Sequence, residues 1–283
     1  MRRIAVITGG GGGMGVATAK IVGRENYVVI CDLDTKRLET GLNELRSLGI
    51  ECEAIPCDVT DRPSVEVLVA QARKLGPVLS VIHAAGVSPR MGDADKIMAT
   101  NALGTININE AFFEIAEEGS CIVNVASMAG YMMPGFMIPK RSYEYARTDK
   151  QKFFRKMIAA CNRLPRKLRP GIAYSISKNF VIWYSKAEAG RFGGKGARIL
   201  SVSPGSFDTE MGRLEGEDAA KPVQLAAIKR FGRVEEIAEL LALCAGPKPS
   251  YLTGTDILCD GGAVAGMKRT DLLRIAVEKA LRS

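Results

Sequence analysis

The chain of 283 residues, 47% hydrophobic and 25% charged, has the balance of a globular domain and not of a disordered or fibrous one. No apolar run reaches the ~18–20 residues of a membrane span, and seven scattered cysteines beside a lone His83 offer no zinc spacing or disulfide framework. These features predict a cytoplasmic protein without a metal. A net charge of +8 would suit nucleic acid, but residues 131–170 hold eleven Lys/Arg and two Asp/Glu. The rest of the chain is then nearly neutral, with 28 basic and 29 acidic residues, and the basic segment has no nucleic-acid-binding pattern.

The elements alternate from the start. Strand-like Arg3–Thr8, which leaves no room for a leader peptide, precedes helix-like Ala17–Arg24. Strand Tyr27–Asp32, helix Lys36–Leu48, strand Glu51–Cys57, helix Pro63–Leu75 and strands Val78–Ala84 and Cys121–Ser127 follow. Helix Ile172–Arg191, strand Arg198–Val202, helix Val234–Cys244 and strand Asp256–Cys259 continue the pattern. The strands are nearly continuous apolar runs and the helices carry i, i+3, i+4 stripes, with Gly49 and Gly76 just past two helix ends. This predicts an α/β fold: a doubly wound parallel sheet of Rossmann type over 1–265. Beyond it, 266–283 forms an amphipathic extension through Thr270–Leu281.

The first strand ends in Thr8-Gly-Gly-Gly-Gly-Gly-Met-Gly15, directly before a helix. Glycines at such a turn let the backbone approach a pyrophosphate, which the helix N-terminus attracts. Asp32 ends the second strand, where a carboxylate accepts the hydroxyls of an adenosine ribose. It would also repel a 2′-phosphate by about 4 kcal/mol at ~4 Å and an effective dielectric of ~20. Position 12 is glycine, so the loop lacks the basic residue that would offset this, although Lys36 and Arg37 follow nearby. NAD is the expected cofactor.

Tyr174 and Lys178 are spaced i, i+4, which sets them one turn apart on a helix face. A cation about 4–6 Å from a phenol lowers its pKa and makes it a workable base. With the other motifs, the chain resembles the short-chain dehydrogenases/reductases. Thr8-Gly9-x-x-x-Gly13-Met14-Gly15 is similar to their glycine turn, Asp58-Val59 to their adenine-side pair, and His83-Ala84-Ala85-Gly86 to their NNAG segment. Asn101 and Ser127 match their active-site asparagine and serine, and Pro204-Gly205 with Thr209 their nicotinamide-side PG motif and threonine. Arg230-Phe-Gly-Arg233, Gly254 and Asp260-Gly261-Gly262 resemble the C-terminal signature. The resemblance implies Tyr174 as acid/base and Lys178 as its pKa-lowering neighbour and ribose ligand. It implies Ser127 as donor to the substrate oxygen, and Asn101 as anchor of a water relay. His83, in place of an asparagine, is read as structural.

Forty-seven positions separate Ser127 from Tyr174, far more than in a plain member of the family, so a basic insertion lies within 131–170. It is expected to be largely helical: Thr148 and Gln151 form a capping-box pair, and Phe153, Phe154, Met157, Ile158 and Cys161 an apolar stripe before Pro165. The insertion is loosely similar to that of bacterial 3α-hydroxysteroid dehydrogenase/carbonyl reductases. Two roles are open, a lid over the substrate or a surface excursion tied to subunit contacts. In the lid reading some of Arg155, Lys156, Arg163, Arg166 and Lys167 reach the pocket mouth or solvent, favouring an apolar substrate with a negative group. The activity implied is hydride transfer between NAD(H) and a small-molecule secondary alcohol or ketone, in a homo-oligomer. An NADPH-dependent 3-oxoacyl-type reductase and a non-enzymatic nucleotide sensor are the alternatives.

Overall fold

The computed structural model describes residues 3–267, so the tail over Thr270–Leu281 lies outside the described residues. Strands β1 Ile4–Thr8, β2 Tyr27–Asp32, β3 Cys52–Pro56, β4 Val78–His83, β5 Cys121–Val125, β6 Arg198–Pro204 and β7 Asp256–Cys259 form one parallel sheet. Its order is β3-β2-β1-β4-β5-β6-β7, as a doubly wound fold requires. The helices are α1 Gly13–Val22, α2 Thr35–Ser47, α3 Arg62–Leu75, α4 Ala94–Met98, α5 Gly104–Ile115, α6 Tyr145–Thr148 and α7 Lys150–Cys161. After these come α8 Arg169–Ala187, α9 Ala189–Gly193, α10 Glu210–Glu215, α11 Glu217–Leu225, α12 Val234–Ala245 and α13 Ala263–Gly266.

Alternation along β1 explains the two cores. Ala5 and Ile7 face α1, α2 and α12, meeting Ala19, Leu38, Leu45 and Leu241. Ile4 and Val6 face α3 and α5, meeting Leu68, Val69, Ile108 and Phe112. Both sheet faces are covered, which accounts for the continuous apolar strands in the sequence. The strand order turns between β1 and β4, and the crevice beyond their carboxyl ends is where such folds bind ligands.

Most boundaries differ from expectation by a few residues. The helix after β1 begins at Gly13, inside the glycine run, and α8 begins at Arg169 with Pro170 in its first turn. Two helical regions were not expected: α4, a π-helical turn at Ala99–Leu103 and α5 run on continuously over 94–115, and α10 and α11 occupy 210–225.

The insertion is helical where expected, with a different cap. Asp149, whose carboxylate accepts the Lys152 N–H at 2.8 Å, caps α7, while Thr148 ends α6. The extended backbone of Asp149 separates the two helices, and its charged oxygen is the stronger acceptor for the N-terminal donors. Phe153, Met157 and Cys161 are fully buried and Phe154 and Ile158 partly so, in a third core with Ile97, Met98, Phe180 and Tyr184 of α4 and α8. The Phe153 ring lies 4.6 Å from that of Phe180. Phe153→Ala is therefore expected to cost about 3–5 kcal/mol in denaturant unfolding, whereas exposed Arg155→Ala should change stability by no more than about 0.5 kcal/mol. Equal effects would show that α7 is not part of the folded core.

Candidate active site

The glycine loop is shaped by close approach. Gly9 has φ +66°, and a Cβ there would come within 2.8 Å of the Ala85 nitrogen. A Cβ on Gly15 would come within 2.3 Å of the Gly9 carbonyl oxygen. The loop also docks through Thr8, whose Oγ1 accepts the Ala85 N–H at 3.1 Å. Gly13 differs: a Cβ there would meet no protein atom within 4 Å, yet the residue lines the main cavity. No contact within the fold requires glycine at that point, which borders the cavity. No acidic residue occupies the first turn of α1, so its N-terminal donors and dipole suit an anion such as a pyrophosphate.

Asp32 stands at the carboxyl end of β2, its Oδ2 accepting the Gly11 N–H at 3.1 Å and its Oδ1 the Asp34 N–H at 3.2 Å. Arg37 reaches the loop and lines the cavity, but its guanidinium is bound to Glu210 at 2.9 Å. The loop therefore faces a fixed carboxylate and a cation that is already paired.

A cavity of about 450 Å³ brings together Gly9, Gly13, Met14, Gly15, Ala84, Gly86, Ser127, Tyr174, Lys178, Pro204, Gly205 and Thr209. Ser127 follows β5 and caps a 3₁₀ turn, its Oγ accepting the Ala129 N–H at 3.2 Å. Tyr174 and Lys178 project from one face of α8, with the ammonium 5.8 Å from the phenol ring centre. The Lys178 Nζ donates to the Val125 carbonyl at 2.9 Å. No carboxylate pairs with it among the described residues, and burial brings its pKa down to about 8. Thr209 caps α10 by accepting the Gly212 N–H at 2.9 Å, leaving its hydroxyl hydrogen to donate.

The Tyr174 phenol departs from the sequence expectation. Burial holds it above its ordinary value, a hydrogen bond with Ser127 opposes that, and the charge of Glu215 adds to it. Lys178, itself desolvated and beside the ring face, does not reverse the balance. The phenol is thus protonated at neutral pH.

Four of the expected cofactor-binding residues, and Asn101, lie outside the cavity wall. Asp58 turns its Oδ1 to the Thr60 N–H and hydroxyl at 2.8 and 2.7 Å, and Val59 is buried beside Gly104. Asp32 is placed as above, and Ala85 contributes its N–H to Thr8. Asn101 clamps the backbone of one residue, accepting the Val87 N–H at 2.9 Å and donating to the Val87 carbonyl at 3.0 Å. Its side chain is thereby committed to holding the loop after β4. His83 is buried between Thr8 and Thr105, at 2.7 and 3.2 Å, with its pKa pressed to about 3 by burial and by Lys178. It is a neutral structural residue.

The insertion supplies Met132, Met133, Pro134, Met137, Leu164 and Leu168 to the cavity wall. These residues were not identified from sequence, although four methionines within 128–137, directly after Ser127, were a visible signal. Met and Leu side chains make an adaptable apolar surface. Arg155, Lys156, Arg163, Arg166 and Lys167 are all exposed and none lines the cavity. Of the two places expected for these five residues, pocket mouth or solvent, the structure shows exposure to solvent, and the part of the cavity wall that the insertion supplies is apolar.

The short chain dehydrogenase family model matches residues 3–140, and that of the enoyl-(acyl carrier protein) reductases matches 165–264. The chain belongs to the short-chain dehydrogenase/reductase family, oxidoreductases of alcohols and ketones that use NAD(H) or NADP(H). Residues 141–164, between the two matches, lie in the insertion. A short-chain dehydrogenase/reductase of Alternaria brassicicola is 28% identical over 95% of this chain and 98% of its own. The 3-oxoacyl-[acyl-carrier-protein] reductase of Thermotoga maritima is 26% identical over 93% and 98%. The solved short-chain dehydrogenase/reductase of Serratia marcescens shares the fold, with a TM-score of 0.74, 24% identity and coverage of 93% and 98%. No described helix is long and apolar enough to cross a membrane.

Proposed function

We propose that the protein transfers a hydride between NAD(H) and a bulky apolar secondary alcohol or its ketone. The convergence of Tyr174, Lys178, Ser127 and the glycine loop on one apolar-walled cavity carries this reading. Its volume falls within the ~300–1,000 Å³ of small-molecule sites, and a hydroxysteroid-like alcohol is one candidate. When bound, the nicotinamide supplies the hydride chemistry. Ser127 hydrogen-bonds the substrate oxygen, and Tyr174 gives that oxygen a proton in reduction or takes one in oxidation. The Lys178 ammonium, with one hydrogen bonded to Val125, has others to hold ribose hydroxyls, and Asn101 fixes the loop beside it. Thr209 would donate to the nicotinamide carboxamide. Asp58 and Val59 would border the adenine.

The test is a panel of alcohols and ketones run with both nucleotides, read as nicotinamide absorbance. Because Asp32 faces the glycine loop, NAD(H) is expected to bind more tightly than NADP(H), and Asp32→Ala to narrow the gap. Equal or tighter binding of NADPH to the wild type, by titration, overturns the cofactor assignment. A second reading, an NADPH-dependent 3-oxoacyl-type reductase, draws on one observation. Exposed Arg163, Arg166 and Lys167 flank Leu164 and Leu168, where an acidic carrier could approach the cavity. Asp32 and the paired Arg37 count against it, and the same panel, with 3-oxoacyl thioesters included, decides.

A further inference from the structure

Five charged side chains line the cavity: Arg37, Lys178, Glu210, Glu215 and Asp218. Arg37 is paired with Glu210 at 2.9 Å, and Asp218 lies 3.9 Å from Lys221. Lys178 belongs to the reacting centre. Glu215 is left, at the end of α10 and half-buried. Its Oε1 accepts the Ser88 hydroxyl at 2.6 Å and the Arg90 N–H at 3.3 Å, which holds it on the cavity rim against the loop after β4. Its Oε2 takes no hydrogen bond among the described residues, and no lysine or arginine pairs with it there. The side chain lies near enough to Tyr174 for its charge to bear on the phenol.

We propose that Glu215 is a specificity residue, selecting apolar alcohols or ketones that carry an ammonium group away from the reacting carbon. This deepens the function proposed above and rests on it. A carboxylate in a largely apolar cavity keeps unused acceptor capacity, and a ligand cation that reaches it makes a charge-assisted hydrogen bond in partial shelter from water. An anionic ligand meets like charge at the same place. The apolar wall from the insertion accommodates the body of the substrate, and Glu215 reads its polar end.

The experiment compares three 1-phenylethanols that carry a para methyl, aminomethyl or carboxyl group, each at saturating nucleotide. The expected order of kcat/KM is aminomethyl, then methyl, then carboxyl. The advantage of aminomethyl over methyl is roughly tenfold, the worth of one charge-assisted hydrogen bond. In Glu215→Gln the Ser88 contact can persist while the charge is gone, and the aminomethyl advantage is expected to fall to near unity. Ser88→Ala, which frees the carboxylate without removing its charge, should retain most of it. An order led by the carboxyl compound, or an aminomethyl advantage that survives Glu215→Gln, overturns the proposal. If none of the three alcohols is turned over with either nucleotide, that counts against the proposed function alone. The role of Glu215 is then decided by calorimetric Kd values for the three matching acetophenones, where the same order supports it and equal affinities overturn it.

Discussion

Tyr174→Phe is expected to lose ~10²–10⁴-fold in turnover, the usual contribution of a general acid–base group, while nucleotide binding persists. The change removes one oxygen from the cavity wall and leaves the ring on α8. The phenol is held above its ordinary pKa by burial and by Glu215, so at neutral pH it carries the proton that carbonyl reduction consumes. Alcohol oxidation needs the phenolate. Oxidation should therefore rise with pH toward the tyrosine pKa, and reduction should fall as the phenol ionises. Measuring kcat/KM against pH in both directions tests this, and Tyr174→Phe should flatten both limbs. Near-normal activity in that variant would move the acid–base role to another residue.

The sheet was legible because each strand buried on both faces is a short apolar run, and because β1 and β2 end in residues with few other uses, the glycine run and Asp32. Helix α7 was legible for a similar reason: Phe153, Met157 and Cys161 recur at helical spacing. The continuous helix over 94–115 was not, because asparagines interrupt the apolar residues of its buried face. Asn101 clamps Val87, Asn107 donates to the Val59 carbonyl at 3.1 Å, and Asn109 exchanges hydrogen bonds with Asn124 at 2.9 and 3.1 Å. Those asparagines read locally as turn formers, and only tertiary partners satisfy them in a helix. Asp93, which caps α4, was the one local signal available.

The site divides in the same way. Tyr174 and Lys178 could be named as a pair from type and spacing, and Ser127 from the resemblance that the surrounding motifs carry. Glu215 could not, since its meaning depends on Ser88, distant in the chain, and on the neighbouring acids being paired. The insertion shows the limit of composition as a guide. Its +9 balance pointed toward a site for anions, but Arg155, Lys156, Arg163, Arg166 and Lys167 are exposed, and the turns before α6 give the cavity the thioethers of Met132, Met133 and Met137.

Lys178 is expected to stabilise the reaction and destabilise the fold. It is 6% exposed, and among the described residues it has one carbonyl partner and no counter-ion. Its pKa near 8 in place of an ordinary 10.5 corresponds to a burial penalty on the order of 3 kcal/mol for the charged form. The unfolded chain binds the proton more tightly, so this penalty is present in full below pH ~8. It fades as pH rises from there toward the unfolded pKa, and stability should increase across that window. Lys178→Met keeps the length and removes the charge. It is expected to raise unfolding free energy by about 1–3 kcal/mol at neutral pH, because a buried unpaired charge is replaced by an apolar group of similar shape. That gain should shrink above pH ~8. The same variant should lose at least ~10²-fold in kcat/KM and bind nucleotide more weakly, since the ammonium beside the phenol, proposed to hold the ribose, is gone. Denaturant unfolding at several pH values, with activity measured on the same preparations, checks both halves. A variant less stable than wild type at neutral pH would show that Lys178 is compensated in the fold, and would remove the tension between its burial and its role.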